Sequence, residues 1–119
     1  MDISLHGSPL RYGSGFAGSS DSLNILRNAG LLDLFSDHEL YDFSSLPFPE
    51  RTQEEKFADH PKRAYYHDVV DINKHLAKQV EAALKDDLFP FLLGGDHSLA
   101  IGSIAGVLHN TDDVFFFFF

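Results

Sequence analysis

One short run, Gly94-Gly95-Asp96-His97-Ser98, sets two glycines beside a carboxylate, an imidazole and a hydroxyl. Paired glycines let the backbone turn sharply and approach a ligand closely. A neutral imidazole there suits a divalent transition metal, and the neighbouring carboxylate can fix its tautomer or join the coordination. The same residues allow a plainer reading, in which Asp96 or Ser98 caps the next helix beside a buried, hydrogen-bonded His97. They also allow a phosphate held by the Gly94-Gly95 turn and a helix N-terminus, although the lysine of a phosphate loop is missing. On the residues alone these readings stay open.

Other titratable groups carry less. His67, Asp71 and His75 recur every four residues, as metal ligands on a helix would, but His67 shares the face of Lys78 and Lys85 and reads as solvated. His38 and His60 fall in expected loops and receive no role. His6 ends the first expected strand, where a packed or exposed histidine is the simpler reading.

The elements that must position Gly94 to Ser98 follow from periodicity. Ile3-Ser4-Leu5-His6 alternates like a short strand. Residues 13–22 are rich in glycine and serine and read as a loop. Ser20, Asp21 and Ser22 are candidate N-caps for a helix with Leu23, Leu26 and Ala29 on one face, and Gly30 stands where a left-handed terminator belongs. Leu31 to Phe35 adds a further turn, and Glu39 to Phe43 alternates as a second strand. Residues 44–62 carry Pro47, Pro49 and Pro61 with many charges, as a long surface excursion does. The strongest helix spans about Tyr65 to Asp86, with Val69, Ile72, Leu76, Val80 and Ala83 on one face. Phe89-Pro90-Phe91-Leu92-Leu93 is a continuous apolar run, the pattern of a parallel strand buried on both faces. Pro90 is tolerated near the start of such a strand. A helix from about Ser98 to Leu108 follows, with Leu99, Ile104, Val107 and Leu108 for packing, and a fourth strand is expected from Val114. Strands alternating with helices predict an α/β fold with a parallel sheet and helices on both faces. In such sheets ligands bind outside the C-terminal ends of the strands, where His97 falls.

Composition narrows the partners. The 119 residues hold 9 basic and 18 acidic side chains, a formal charge of −9. That sign argues against nucleic acid or an anionic membrane surface as partner and is compatible with a cationic small molecule. The absence of cysteine excludes disulfides and thiolate chemistry. The first residues lack the basic flank and apolar core of a signal peptide, and no window approaches the roughly 20 apolar residues of a membrane span. A soluble cytoplasmic protein is the expectation.

The string from Phe89 through Leu93-Gly94-Gly95-Asp96-His97-Ser98-Leu99-Ala100-Ile101-Gly102-Ser103-Ile104-Ala105-Gly106 closely resembles the signature of the arginase family of manganese ureohydrolases. His6-Gly7-Ser8-Pro9 resembles that family's first strand and its exit, and Ile25-Leu26-Arg27-Asn28-Ala29-Gly30 its early helix. The customary Gly-Pro before that helix is replaced by Ser22-Leu23, and residues 33–62 match nothing.

The resemblance implies a three-layer αβα fold and two Mn2+ ions, with His97 as a ligand to one of them. Gly94, Gly95, Asp96 and Ser98 would shape the site. It implies hydrolysis of the guanidino group of L-arginine to ornithine and urea. Agmatinase or another guanidino or formimino hydrolase, such as formimidoylglutamase, is the alternative within the family. It also implies a homo-oligomer when intact. The family's Asp-Ala-His-x-Asp motif and later Asp-x-Asp pair do not occur in the chain. Residues 1–119 are therefore expected to be the N-terminal part of one arginase-like domain, with no catalytic residue assigned and no activity alone. A noncatalytic remnant or interaction module is the reading of another class. Phe115 to Phe119 supplies five of the twelve phenylalanines. It reads as the mark of a truncated or altered reading frame, or as an unusual final strand. Uncovered, such a segment would lower solubility.

Overall fold

A computed structural model of the chain describes residues 1–13, 21–44, 46 and 49–115. Three strands, β1 (Ile3–Gly7), β2 (Leu40–Phe43) and β3 (Phe89–Leu93), form one sheet in the order β2-β1-β3. Both pairings are parallel, with Leu5 opposite Asp42 on one side and Phe91 on the other. The connections run through α1 (Ser22–Asn28) with a 3₁₀ turn at Leu31–Phe35, and through a 3₁₀ turn at Gln53–Glu55 followed by α2 (Tyr66–Lys85). The third helix, α3 (Leu99–Leu108), follows β3. Parallel strands need such crossovers, because a tight turn can only reverse the chain.

Strand alternation divides the core between the two faces. Leu5, Leu23 and Leu93 meet Leu31, Leu32, Leu40 and Phe91 on the α1 face. Leu10, Tyr12, Tyr65, Ile72, Leu76, Val80 and Leu99 form a larger cluster on the other, joined by Leu92 from β3. Three layers result, as expected from the resemblance. The apolar stripe of α2 is buried at Ile72, Leu76, Val80 and Ala83. Its end is a left-handed Asp87, with the Leu88 amide donating 2.9 Å to the Ala83 carbonyl. Gly30 takes a left-handed φ of 91° after α1, as its position predicts.

Several expectations change. β3 was expected to be buried on both faces. Among the described residues it is instead an edge strand, so Phe89 is 52% exposed and Leu93 is the one residue of the strand that is buried. In α1 only Leu23 is buried, because a seven-residue helix presents about two turns to the sheet. In α3 the buried residues are Leu99, Gly102 and Gly106, while Leu108 is exposed. The glycines face α2: a Cβ at Gly102 would lie 2.5 Å from the Asn73 carbonyl, and one at Gly106 2.6 Å from that of Ala77. Close backbone approach thus replaces side-chain packing. Val114 and Phe115 belong to no strand, Phe115 is exposed, and 116–119 lie outside the described residues.

Residues 44–62 are more than a surface excursion. Ser44 and Leu46 are buried, and residues 49–56 are tied to the larger core. The Tyr12 hydroxyl donates to the Pro49 carbonyl (2.8 Å) and accepts the Arg51 amide (2.5 Å). Arg51 makes a bidentate pair with Asp68 on α2, at 2.9 and 3.2 Å.

Candidate functional site

β3 ends at Leu93 and the chain turns through Gly94 and Gly95, with φ of 84° and 72°. Both values belong to the left-handed region that favours glycine. Gly95 also lacks room for a side chain, since a Cβ would lie 2.7 Å from the Ser8 carbonyl oxygen. The turn therefore presses against the loop leaving β1, and both lie at the C-terminal ends of their strands.

Asp96 joins those two loops. Its amide donates 2.8 Å to the Leu10 carbonyl, and its carboxylate Oδ2 accepts the Gly13 amide at 2.7 Å. Oδ1 accepts the Ser98 amide at 2.9 Å and the Ser98 hydroxyl. These bonds close a local turn ahead of α3: Ser98 is the N-cap of the helix and no side chain caps it, so the capping reading of Asp96 or Ser98 is not met. Gly13 is held so close that a Cβ would lie 2.7 Å from that of Ser98. His97, between Asp96 and Ser98, is exposed, which removes the reading of a buried histidine. Its carbonyl accepts the Ala100 amide at 3.0 Å, so its backbone is part of the helix start.

The geometry brings Gly94, Gly95, Asp96, His97 and Ser98 together with Leu10 and Gly13. It does not assemble a full metal site. Among the described residues no group of three or more His, Asp or Glu could hold a metal ion, and the Asp96 oxygens already have protein partners. A binuclear manganese centre does not fit these residues by themselves. His97 is one donor presented at the strand ends.

The remaining histidines sit elsewhere. His67 and His75 are exposed on α2, as the helical wheel predicts. His6 is buried, with Nδ1 3.1 Å from Gln79 Oε1 and Nε2 2.9 Å from Ser4 Oγ. Burial pushes its pKa below the usual imidazole value, and the Gln79 bond only partly offsets this. It is a packed histidine under α2.

Gly13, Tyr12 and the Arg51–Asp68 pair were not singled out in the sequence. Asp68 left a signal, because it falls four residues before Ile72 and eight before Leu76, on the buried stripe of α2. A carboxylate on that stripe needs a cation, and Arg51 supplies it. The attraction raises the Arg51 pKa further above its already high value. Gly13 left no signal beyond its loop composition.

A parallel sheet covered on both faces, with two loops stitched together at the strand ends, defines an open-sheet α/β protein of the kind that binds ligands there. The arginase family model matches residues 1–118, and the chain belongs to that family. The arginase of Staphylococcus aureus strain COL is 30% identical over 107 residues, 88% of this chain and 35% of that protein. Human arginase-1 is 33% identical over 108 residues, 87% of this chain and 32% of its own length. The crystal structure of Bacillus caldovelox arginase is similar with a TM-score of 0.80 at 29% identity, covering 93% of this chain and 38% of that one. The Bacillus subtilis arginase structure gives 0.79 at 28%, covering 94% and 36%. The chain thus spans about a third of the length of the curated relatives it matches. Among the described residues no helix is long and apolar enough to cross a membrane.

Proposed function

We propose that this chain forms the N-terminal part of an arginase-type ureohydrolase domain. In this reading His97 is a ligand to one of two Mn2+ ions, and Gly94, Gly95, Asp96 and Ser98 shape its turn. The observation that carries the reading is the presentation of His97 at the end of β3. It is exposed on a turn whose glycines are both left-handed and whose aspartate is tied to the β1 exit loop. The reaction proposed for a complete domain is hydrolysis of the guanidino group of L-arginine to ornithine and urea. Agmatine or another guanidino or formimino compound is the alternative substrate. Assembly into a homo-oligomer and a cytoplasmic location belong to the same proposal.

Because the described residues do not make up a binuclear site, the 119-residue polypeptide by itself is expected to release no urea. A noncatalytic interaction module is the second reading, favoured by the half-exposed β3, which among the described residues has no strand on its outer side. A chimera separates the two. Residues 1–113 of this chain would replace the matching segment of Bacillus subtilis arginase, and urea release would be measured with Mn2+ and either L-arginine or agmatine. Release lost in His97→Ala supports the enzyme reading, and the preferred compound names the substrate. A folded chimera without hydrolysis on either compound supports the module.

A further inference from the structure

Residues 49–56 form a strap held between α2 and Tyr12, whose neighbour Gly13 bonds to the His97 turn. At one end Arg51 holds Asp68, whose side chain is 8% exposed, and Glu55 lies 3.3 Å from the same guanidinium. Thr52 and Glu55 close a capping box around the 3₁₀ turn. Tyr65, with a left-handed φ of 48°, donates its hydroxyl to the Thr52 carbonyl (3.1 Å) and its amide to the Lys56 carbonyl (2.7 Å). The Tyr65 ring stacks on Tyr12 with centroids 4.0 Å apart. Tyr12 grips Pro49 and Arg51 through its hydroxyl, as described above, and its neighbour Gly13 donates to Asp96. Asp96 in turn holds Ser98, and the His97 carbonyl is held by Ala100.

We propose that Tyr12 is a positioning residue for His97, acting as the joint between the 49–56 strap and the turn that carries the histidine. This rests on the reading of His97 as the functional donor, but the coupling itself needs no metal. The chemistry supports a joint rather than a simple packing contact. The phenol offers one proton and accepts another on the same strap, so its hydroxyl fixes the strap in position while its ring is fixed by Tyr65. The next residue is a glycine seated against Ser98 with no room for a Cβ. A shift of the strap must therefore move Gly13, and with it the Asp96 carboxylate.

Residue-resolved hydrogen–deuterium exchange of the full chain without metal tests the coupling, using Tyr12→Phe and Arg51→Gln. Tyr12→Phe keeps the ring and removes only the hydroxyl. Both variants are expected to speed exchange at the Gly13, Ser98 and Ala100 amides by tenfold or more, with the Leu76 and Val80 amides unchanged. Lys85→Gln, at the far end of α2, is expected to leave all of these at the wild-type rate. Acceleration confined to residues 49–56 would overturn the proposal. Uniform acceleration including Leu76 and Val80 would also overturn it, because Tyr12 would then be general core support. Since metal is absent, neither result depends on whether His97 proves to be a ligand.

Discussion

The Gly13 amide lies 2.7 Å from Oδ2 of Asp96, eighty-three positions along the chain, and that bond makes the β1 exit loop and the His97 turn one structure. Its companion runs the other way, from the Asp96 amide to the Leu10 carbonyl. The two together hold the loops as a short ladder holds strands. The carboxylate also receives the amide of Ser98, the residue that precedes α3.

Asp96→Ala removes an acceptor from two backbone amides and from the Ser98 hydroxyl. The loss is expected to be about 1–3 kcal/mol, the range for leaving a hydrogen-bonded donor without its acceptor. Urea denaturation would show it as a lower midpoint with an unchanged slope.

Gly95→Ala places a methyl group 2.7 Å from the Ser8 carbonyl on a left-handed backbone. Strain of that kind costs about 1–3 kcal/mol. Gly30→Ala has a similar φ, but its nearest neighbour is the flexible Asp33 carboxylate at 3.3 Å. It is therefore expected to lower the melting temperature less than Gly95→Ala, and calorimetry on the pair would check the order.

Much of this frame is legible in the sequence. The five apolar positions named for α2 and the left-handed Gly30 follow from spacing, since local periodicity and φ preference leave few alternatives. The turn at Gly94 and Gly95 is legible for the same reason, since both take a left-handed φ. Contacts between distant segments are not. Gly13 meets Asp96 only after the sheet has set β1 beside β3, and Arg51 meets Asp68 only after residues 49–56 fold back on α2. β3 misleads because its apolar run reads as interior, whereas among the described residues its outer side has no neighbouring strand.

Leu76 is fully buried between α2 and the sheet. Leu76→Ala is expected to cost about 2–5 kcal/mol, through lost transfer energy and the cavity left behind. Chemical denaturation would measure it, and a cost below about 1 kcal/mol would mean that this face of α2 is loosely packed.

His6 gives the fold a pH dependence of known sign. Its folded pKa lies below the unfolded value of 6.5, so the unfolded chain takes up the proton first. Stability is therefore present above 6.5 and declines as pH falls through that value toward the folded pKa. Glu50, Glu55 and Glu81 have pKa values lowered by hydrogen bonds and cations, so their contribution is lost only at lower pH, below their ordinary value of 4.5. Melting temperatures between pH 7.5 and 5.5 should fall in the wild type and flatten in His6→Gln.

The Phe89 amide donates to the Asp2 carbonyl, so alternate residues, Pro90 and Leu92, point their backbone groups to the side of β3 that has no neighbouring strand among the described residues. Pro90 offers no donor there and blunts the edge. Pro90→Val restores a donor and is expected to increase self-association, which sedimentation velocity at several concentrations would detect.

The most direct test of the central claim is the manganese stoichiometry of the chimera with Bacillus subtilis arginase, read by electron paramagnetic resonance alongside metal analysis. With His97 in place the expected result is two Mn2+ per active site, and His97→Ala is expected to lose or greatly weaken one of them. Two tightly held ions and an unchanged rate of urea release in His97→Ala would contradict the assignment of His97 as a ligand.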